Sequence, residues 1–248
     1  MKTVLITGCS SGFGLEIAQH FLARDWKVIA TMRTPRAEAL PASEHLRVLP
    51  LDVTDAQSIQ HAIEAAGQID ALVNNAGIGV LMPLEGLPMA TAREVFETNT
   101  LGTIAMTQAV LPQFRQRRDG VVVNVTSSVT FKPLPLLCVY TASKAAVNAF
   151  TESLALELRP FNVRVSLVLP GRAPATRFGA NAQARMQGGA PEAYAAFTQT
   201  VFAALTQASP EITESRDVAE AVWRAVNDPA APMRIPAGAD AVAWSEGR

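Results

Sequence analysis

Lys2-Thr3-Val4-Leu5-Ile6-Thr7 runs directly into Gly8-Cys9-Ser10-Ser11-Gly12-Phe13-Gly14. The first stretch is apolar and β-branched, the composition of a short buried strand. After Gly14 the residues Ile17, Ala18, Phe21 and Leu22 share one helical face. The order is therefore strand, glycine-rich turn, helix. Glycines allow the tight turn and let the backbone approach a pyrophosphate. The helix N-terminus adds N–H donors and the positive end of its dipole. The spacing is Gly-x3-Gly-x-Gly rather than Gly-x-Gly-x-x-Gly. A glycine cluster alone can be only a turn; this strand-to-helix setting points to a nucleotide.

Outward from that turn, strand-like runs recur at 28–31, 46–49, 71–73, 120–125 and 163–169, with a last short one at Arg234-Ile235-Pro236. Helical patterns lie between them. Ile59, Ala62, Ile63 and Ala66 mark one, with Asp55 placed to cap it. Residues 91–118 read as one long helix with Val95, Met106, Val110 and Phe114 inward, and Pro112 predicts a kink or break within it. Val147, Phe150, Leu154 and Leu158 define another, and Val218, Val222 and Val226 a further one over 217–227. Alternating strands and helices predict a parallel sheet covered on both faces. Ligands of such sheets sit at the carboxyl ends of the strands, near the point where strand order reverses.

Composition narrows the class. The chain has 248 residues, 49% of them hydrophobic, enough for one α/β domain over 1–248 with a substantial core. Its formal charge of −1 recommends neither nucleic acid nor an anionic membrane as partner. No apolar run approaches the ~20 residues of a membrane helix, and the opening Met1-Lys2-Thr3-Val4 lacks the pattern of a secretory signal. Cys9 and Cys138 make no disulfide framework, and the expected compartment is the cytoplasm. Cys138 is expected as a small buried or pocket-lining thiol. His20, His45 and His61 form no metal-binding constellation and are expected to be surface or structural; no metal site is predicted.

The chemistry is carried by Tyr140-Thr141-Ala142-Ser143-Lys144, with Ser127 thirteen residues before the tyrosine. Tyr and Lys four apart share a helix face. An ammonium beside a phenol stabilises the phenolate and lowers its pKa from an ordinary value near ~10. With a hydroxyl donor added, this is a physical recipe for a tyrosine acid/base. Tyr-x-x-x-Lys alone is also common on surface helices.

Thr7-Gly8-x-x-x-Gly12-x-Gly14, Asn74-Asn75-Ala76-Gly77, Asn99, Ser127 and Tyr140-x-x-x-Lys144 together resemble the short-chain dehydrogenase/reductase family in order and spacing, over roughly residues 1–176. The resemblance implies a Rossmann-like, doubly wound, seven-stranded parallel α/β sheet. It implies a hydride exchanged between a nicotinamide cofactor and a carbonyl or secondary alcohol. Tyr140 would move the proton, Ser127 would orient the substrate oxygen, and Lys144 would also hold the nicotinamide ribose. Ser128 is an adjacent competitor; strand alternation points the two serines to opposite faces if the strand continues that far. Asn99 would open the helix hydrogen bonding so that a water completes a proton relay. Gly8, Ser10, Ser11, Gly12, Phe13 and Gly14 would cradle the phosphates, Asp52 and Val53 the adenine, and Asn75, Ala76 and Gly77 the adenosine ribose. Asn74 is expected to tie neighbouring strands. Residues 172–212, apolar and poorly charged, would be a mobile helix pair over the substrate; ordinary packing on the sheet is the alternative.

Cofactor choice turns on Ala30-Thr31-Met32-Arg33. An acid at the end of the second strand would bond a ribose 2′-hydroxyl. Met32 stands there instead, and the Arg33 guanidinium suits a 2′-phosphate, so NADP(H) is expected over NAD(H). Arg36 either assists or is a solvated surface residue. Two departures from the family pattern stand out. Thr130 replaces a common glycine three residues after Ser127. In Pro170-Gly171-Arg172-Ala173-Pro174-Ala175-Thr176 the threonine falls one position late, which leaves the nicotinamide contacts of Ala173 and Thr176 open unless the loop bulges. The expected substrate is an apolar or aromatic carbonyl compound, and a homodimer or homotetramer is expected through helices near 91–118 and 142–158. The rivals are an NAD-preferring dehydrogenase working in oxidation and a catalytically silent dinucleotide sensor.

Overall fold

β1 (Thr3–Ile6) lies between β2 (Lys27–Met32) and β4 (Ala71–Asn74), parallel to both. β3 (Leu46–Pro50) adds beyond β2, while β5 (Gly120–Val125), β6 (Val163–Pro170) and β7 (Arg234–Ala237) extend the sheet beyond β4. The order β3-β2-β1-β4-β5-β6-β7 is all parallel and reverses between β1 and β4. This is the doubly wound, Rossmann-like sheet of a single domain, with its ligand crevice expected at that reversal. The computed structural model describes residues 1–186, 189–206 and 211–247. Parts of the expected covering segment, residues 187–188 and 207–210, fall outside the described residues, as does the last residue of the 1–248 domain.

Alternation along the strands sends neighbours to opposite faces. Val4 and Ile6 join Ile17, Ala18 and Phe21 of α1 (Gly12–Leu22) and the valines 218, 222 and 226. Leu5 and Leu72 pack on the other face with Ile59 of α2 (Ala56–Ala66) and the inward residues Met106, Val110 and Phe114. All four inward residues expected of the 91–118 helix are fully buried. Asp55 caps α2 as expected, accepting hydrogen bonds from the N–H groups of Gln57 and Ser58. Such a cap contributes about 1 kcal/mol.

The 91–118 span is not one helix. α3 (Met89–Phe96) and α4 (Gly102–Arg117) are joined by a π-helical turn at Glu97–Leu101. The cause is side-chain chemistry centred on Asn99, described below. Pro112 does not end α4. It sits on the exposed face, as does Gln108 one turn earlier, whose carbonyl loses an N–H partner where water can replace it. α5 (Cys138–Leu158) begins early enough to carry both Tyr140 and Lys144. After β6 come α6 (Phe178–Ala184), α7 (Ala195–Thr206), α8 (Ser215–Asn227) and, after β7, α9 (Ala239–Ser245).

One polar chain crosses the buried middle of the sheet. Asn74 Nδ2 donates to Asn124 Oδ1 at 2.9 Å and to Thr107 Oγ1 at 3.1 Å, and Asn124 Nδ2 donates to Thr151 Oγ1 at 2.8 Å. Asn74 thus ties β4 to β5 as expected, and the two threonines anchor α4 and α5 to the same strands. His20 is buried and edge-on to Trp223, and desolvation lowers its imidazole pKa.

Candidate active site

The glycine turn is shaped by two left-handed residues and one close packing. Gly8 has φ +76° and Gly12 has φ +59°, conformations that favour glycine. A Cβ on Gly14 would collide with the Gly8 carbonyl and the Asn75 amide. Thr7 locks the turn to β4: its Oγ1 accepts from the N–H groups of Asn75 (3.0 Å) and Ala76 (2.9 Å). Asn75 Nδ2 in turn donates to the carbonyls of Thr7 (2.9 Å) and Gly8 (3.3 Å). The Asn75 carboxamide is therefore spent on holding the turn, a role the sequence did not suggest.

A cavity of about 600 Å³ opens above the carboxyl ends of β1 and β4. Gly8, Ser10, Ser11, Gly12, Phe13, Arg33, Asp52, Val53, Asn75, Ala76, Gly77 and Thr176 all line it. Of the other residues expected to hold the cofactor, Gly14, Tyr140, Lys144, Pro170, Gly171 and Ala173 do not; Gly14 is buried behind the turn. The Ser11 side chain makes no cap bond, and no acid occupies the first turn of α1. That helix N-terminus keeps its positive character toward the cavity. Arg33 is exposed on the rim, close enough to Asp52 to help lower that carboxyl's pKa, after the dominant hydrogen bond from the Thr54 N–H. Arg36 donates to the Ser10 carbonyl at 3.2 Å, bracing the turn.

Two of the four expected catalytic residues, Asn99 and Lys144, come together beneath Gly77. A Cβ there would lie 3.2 Å from Asn99 Oδ1 and 3.3 Å from Lys144 Nζ. Asn99 Oδ1 accepts from the Ile78 N–H (2.8 Å), while its Nδ2 donates to the Ile78 carbonyl (2.9 Å) and to Ser143 Oγ (3.0 Å). Thr103 Oγ1 bonds the Asn99 carbonyl at 2.9 Å, and Thr100 Oγ1 bonds the Ser143 carbonyl at 3.0 Å. These bonds hold the helix open in its π turn. Ser143 Oγ passes the link on, donating to the Tyr140 carbonyl at 2.7 Å. Ser143 was missed as a positioning group, although its place three residues after Tyr140 on one helix face could have found it.

The Ser127 side chain lies near enough to the Tyr140 phenol to favour its ionised form by hydrogen bonding, an influence that runs against burial. β5 ends at Val125, so the strand alternation invoked for the two serines does not reach them; Ser127 instead caps a short 3₁₀ turn, Ser128–Thr130. Thr130, the departure from the family glycine, donates to the Ser127 carbonyl at 2.9 Å and accepts from Asn148 Nδ2 at 3.0 Å. Lys144 Nζ donates to the Val125 carbonyl at 3.0 Å. Burial pushes Lys144 down to about 8. Burial also pushes the Tyr140 phenol up to about 12, against the lowering effect of Ser127. The expected lowering of the phenol by Lys144 is not what the structure shows: desolvation dominates, and the one opposing influence comes from Ser127.

The late threonine is absorbed as a turn. Thr176 N and Oγ1 both bond the Ala173 carbonyl, at 3.1 and 2.8 Å, and the side chain comes to rest against Gly12. Beyond it, Phe178 packs on Tyr140 with ring centroids 5.2 Å apart and fills the space where Gly79 lacks a side chain. Leu81, Leu136, Leu137, Ala182 and Val201 form an apolar cluster around Tyr140. Cys138 is exposed rather than buried or pocket-lining; it occupies the first turn of α5 on the solvent side. Among the described residues no group of His, Cys, Asp and Glu is arranged to hold a metal ion, and no helix is long and apolar enough to cross a membrane.

The model of the short chain dehydrogenase family matches residues 2–187. The chain belongs to that family. It is similar to retinol dehydrogenase 8 of Bos taurus, 43% identical over 185 residues, covering 68% of this chain and 58% of that protein. The chain thus spans less than two thirds of the length of this curated relative. A short-chain dehydrogenase from Streptomyces avermitilis has the same fold at a TM-score of 0.83, with 32% identity over 99% of this chain and 91% of its own. One from Burkholderia cenocepacia in complex with NADP matches at 0.79, with 27% identity over 100% of this chain and 94% of its own. A 3-ketoacyl-(acyl-carrier-protein) reductase from Brucella melitensis complexed with NADH also matches at 0.79, with 25% identity over 95% and 96%.

Proposed function

We propose that this chain interconverts an apolar carbonyl compound and the corresponding secondary alcohol with NADP(H). One observation carries the reading: Asn99 and Lys144 meet beneath Gly77 of the cavity wall, and α5 carries Tyr140 one turn before Lys144 with the Ser127 side chain beside the phenol. The residues fit a dinucleotide: left-handed Gly8 and Gly12 line a turn at an uncapped helix N-terminus, where phosphates are favoured. When bound, the nicotinamide supplies or takes up the hydride. In reduction Tyr140 gives its phenolic proton to the carbonyl oxygen, and Ser127 donates a hydrogen bond to the same atom. In oxidation Tyr140 takes the alcohol proton. The Tyr140 phenol, held protonated by burial, suits the first direction. Asn99 holds the Ile78 loop and, through Ser143, the start of α5 in register with that chemistry.

Preference for NADP(H) rests on apolar, buried Met32 at the end of β2 and exposed Arg33 beside it. An NAD-preferring dehydrogenase is the second reading, favoured by Asp52 drawing on Arg33 and by the neighbour that holds NADH. The apolar cluster around Tyr140 and the likeness to a retinol dehydrogenase favour a bulky apolar substrate. Assembly into a homodimer or homotetramer through the helical segments 91–118 and 142–158 fits the exposed Leu101 and Leu156; sedimentation as a monomer at micromolar protein would reject it. The two free thiols suit a reducing compartment such as the cytoplasm.

The test is consumption of NADPH and NADH against aliphatic, aryl and polycyclic ketones, with Tyr140→Phe as the blank. Arg33→Ala should raise the KM for NADPH about tenfold, one lost phosphate pairing, and leave that for NADH unchanged. NADPH binding without turnover of any carbonyl would favour the sensor.

A further inference from the structure

The loop that carries Thr176 to the glycine turn is fastened at its other end by a buried carboxylate from α9. Asp240 is 4% exposed. Its Oδ2 accepts the Arg172 N–H at 2.5 Å, and its Oδ1 bonds Thr213 Oγ1 at 2.7 Å. Thr213 Oγ1 also accepts the Gly171 N–H at 2.9 Å, and Thr213 N–H returns to the Arg172 carbonyl at 2.8 Å. Gly171 is pressed so close to the carboxylate that no Cβ fits between them. The Arg172 amide is thus held by the acid, and the Gly171 amide is shared between the hydroxyl and the Ala237 carbonyl.

We propose that Asp240 and Thr213 are positioning residues for the cofactor. They fix the departure of the chain from β6. The turn from Ala173 to Thr176 then sets Thr176 against Gly12. Three features favour this over mere packing. The bonds fall on the two residues that leave β6, and the same Gly171 N–H and Thr213 Oγ1 also reach the Ala237 carbonyl at the end of β7, at 3.3 and 2.9 Å. The loop they hold is otherwise half-exposed or exposed from 171 to 181. Its far end lies on the cavity wall at Thr176, Arg177 and Phe178. A loop with one end on a rigid anchor and the other on the ligand site loses ligand alignment when the anchor is cut.

This inference rests on the dinucleotide reading above. The test is NADPH titration of the purified chain by fluorescence, together with hydrogen exchange of the 171–176 amides in the chain without cofactor. Thr213→Val removes the hydroxyl at constant shape, Asp240→Ala removes the carboxylate, and Thr213→Ser is the conservative rescue. In Thr213→Val and Asp240→Ala, exchange at Gly171 and Arg172 should quicken, and NADPH Kd should rise about tenfold, the scale of one lost buried hydrogen bond. Thr213→Ser should bind as the parent does. Should Asp240→Ala fail to fold, Thr213→Val decides alone. If Thr213→Val binds NADPH with parental Kd while only its Tm falls, the residues are structural and the proposal is overturned. A parent chain that binds neither NADPH nor NADH would overturn the functional reading and this inference with it.

Discussion

The two walls of the cavity are built differently. On one side, residues 7–14 and 75–79 form a wall of backbone, its shape set by left-handed glycines and by the Thr7 and Asn75 hydrogen bonds. On the other, residues 176–185 present side chains: Phe178 against Tyr140, and Arg185 paired with Glu94 at 3.6 Å. The first wall has few ways to move without leaving buried polar groups unpaired. The second is fastened at a handful of partly exposed contacts. A fixed wall suits a cofactor of constant shape, and a side-chain wall suits a substrate whose shape differs between relatives.

That contrast can be broken at graded cost. Tyr140, on which Phe178 of the second wall packs, carries the largest effect: Tyr140→Phe should lower kcat about 10²–10⁴-fold, the range for a lost acid/base. NADPH binding should stay near the parent's. Gly14→Ala attacks the backbone wall, where its methyl would meet the Gly8 carbonyl. It should cost about 1–3 kcal/mol, as overpacking does, and a urea melt would read that cost alongside weaker NADPH binding. An unchanged melt would show the turn to be less rigid than its bonds imply.

Lys144 gives a pH signature. Its folded value, about 8, lies below the ordinary 10.5, so the unfolded chain binds this proton more tightly. The resulting cost to stability is present below pH 8 and is relieved as pH rises toward 10.5. Tyr140, raised from 10 to about 12, works oppositely above pH 10. Between pH 8 and 10 the parent should therefore gain stability relative to Lys144→Met, measured by denaturant midpoints. The smallest effect belongs to the second wall. Arg185→Ala should cost at most about 1 kcal/mol, the worth of a partly exposed pair, and shift substrate KM with little change in Tm.

What could be read from the sequence follows the same division. The glycine turn, the strands and the buried faces are written in local composition, and their positions agree with the structure within a residue or two. Asn99, Ser127, Tyr140 and Lys144 were legible as a set because their spacing is a pattern in one dimension. The roles of Thr7, Asn75 and Ser143 were not, since each acts through a partner that only folding brings near. The break at Glu97–Leu101 was hidden for the same reason: inward apolar residues keep helical spacing through it, and only the Ile78 and Ser143 contacts reveal it. The up-shifted Tyr140 phenol was misjudged because sequence shows a neighbouring ammonium but not the water excluded from both.

The asparagine pair at the centre of the sheet has a consequence for how the chain finds its alignment. β4 is Ala-Leu-Val-Asn and β5 is Gly-Val-Val-Val-Asn-Val, paired so that Asn74 faces Asn124. Apolar runs buried on both faces carry little information about which residue should sit opposite which. Sliding β5 by one residue would turn its side chains to the wrong helices; sliding by two would restore the faces at little hydrophobic cost. Either slip would strand two amides in a dry interior, each at a cost of about 1–3 kcal/mol. The pair acts as a notch and key that lets one alignment close, and the strand ends that carry Asn75 and Ser127 arrive level with each other because of it.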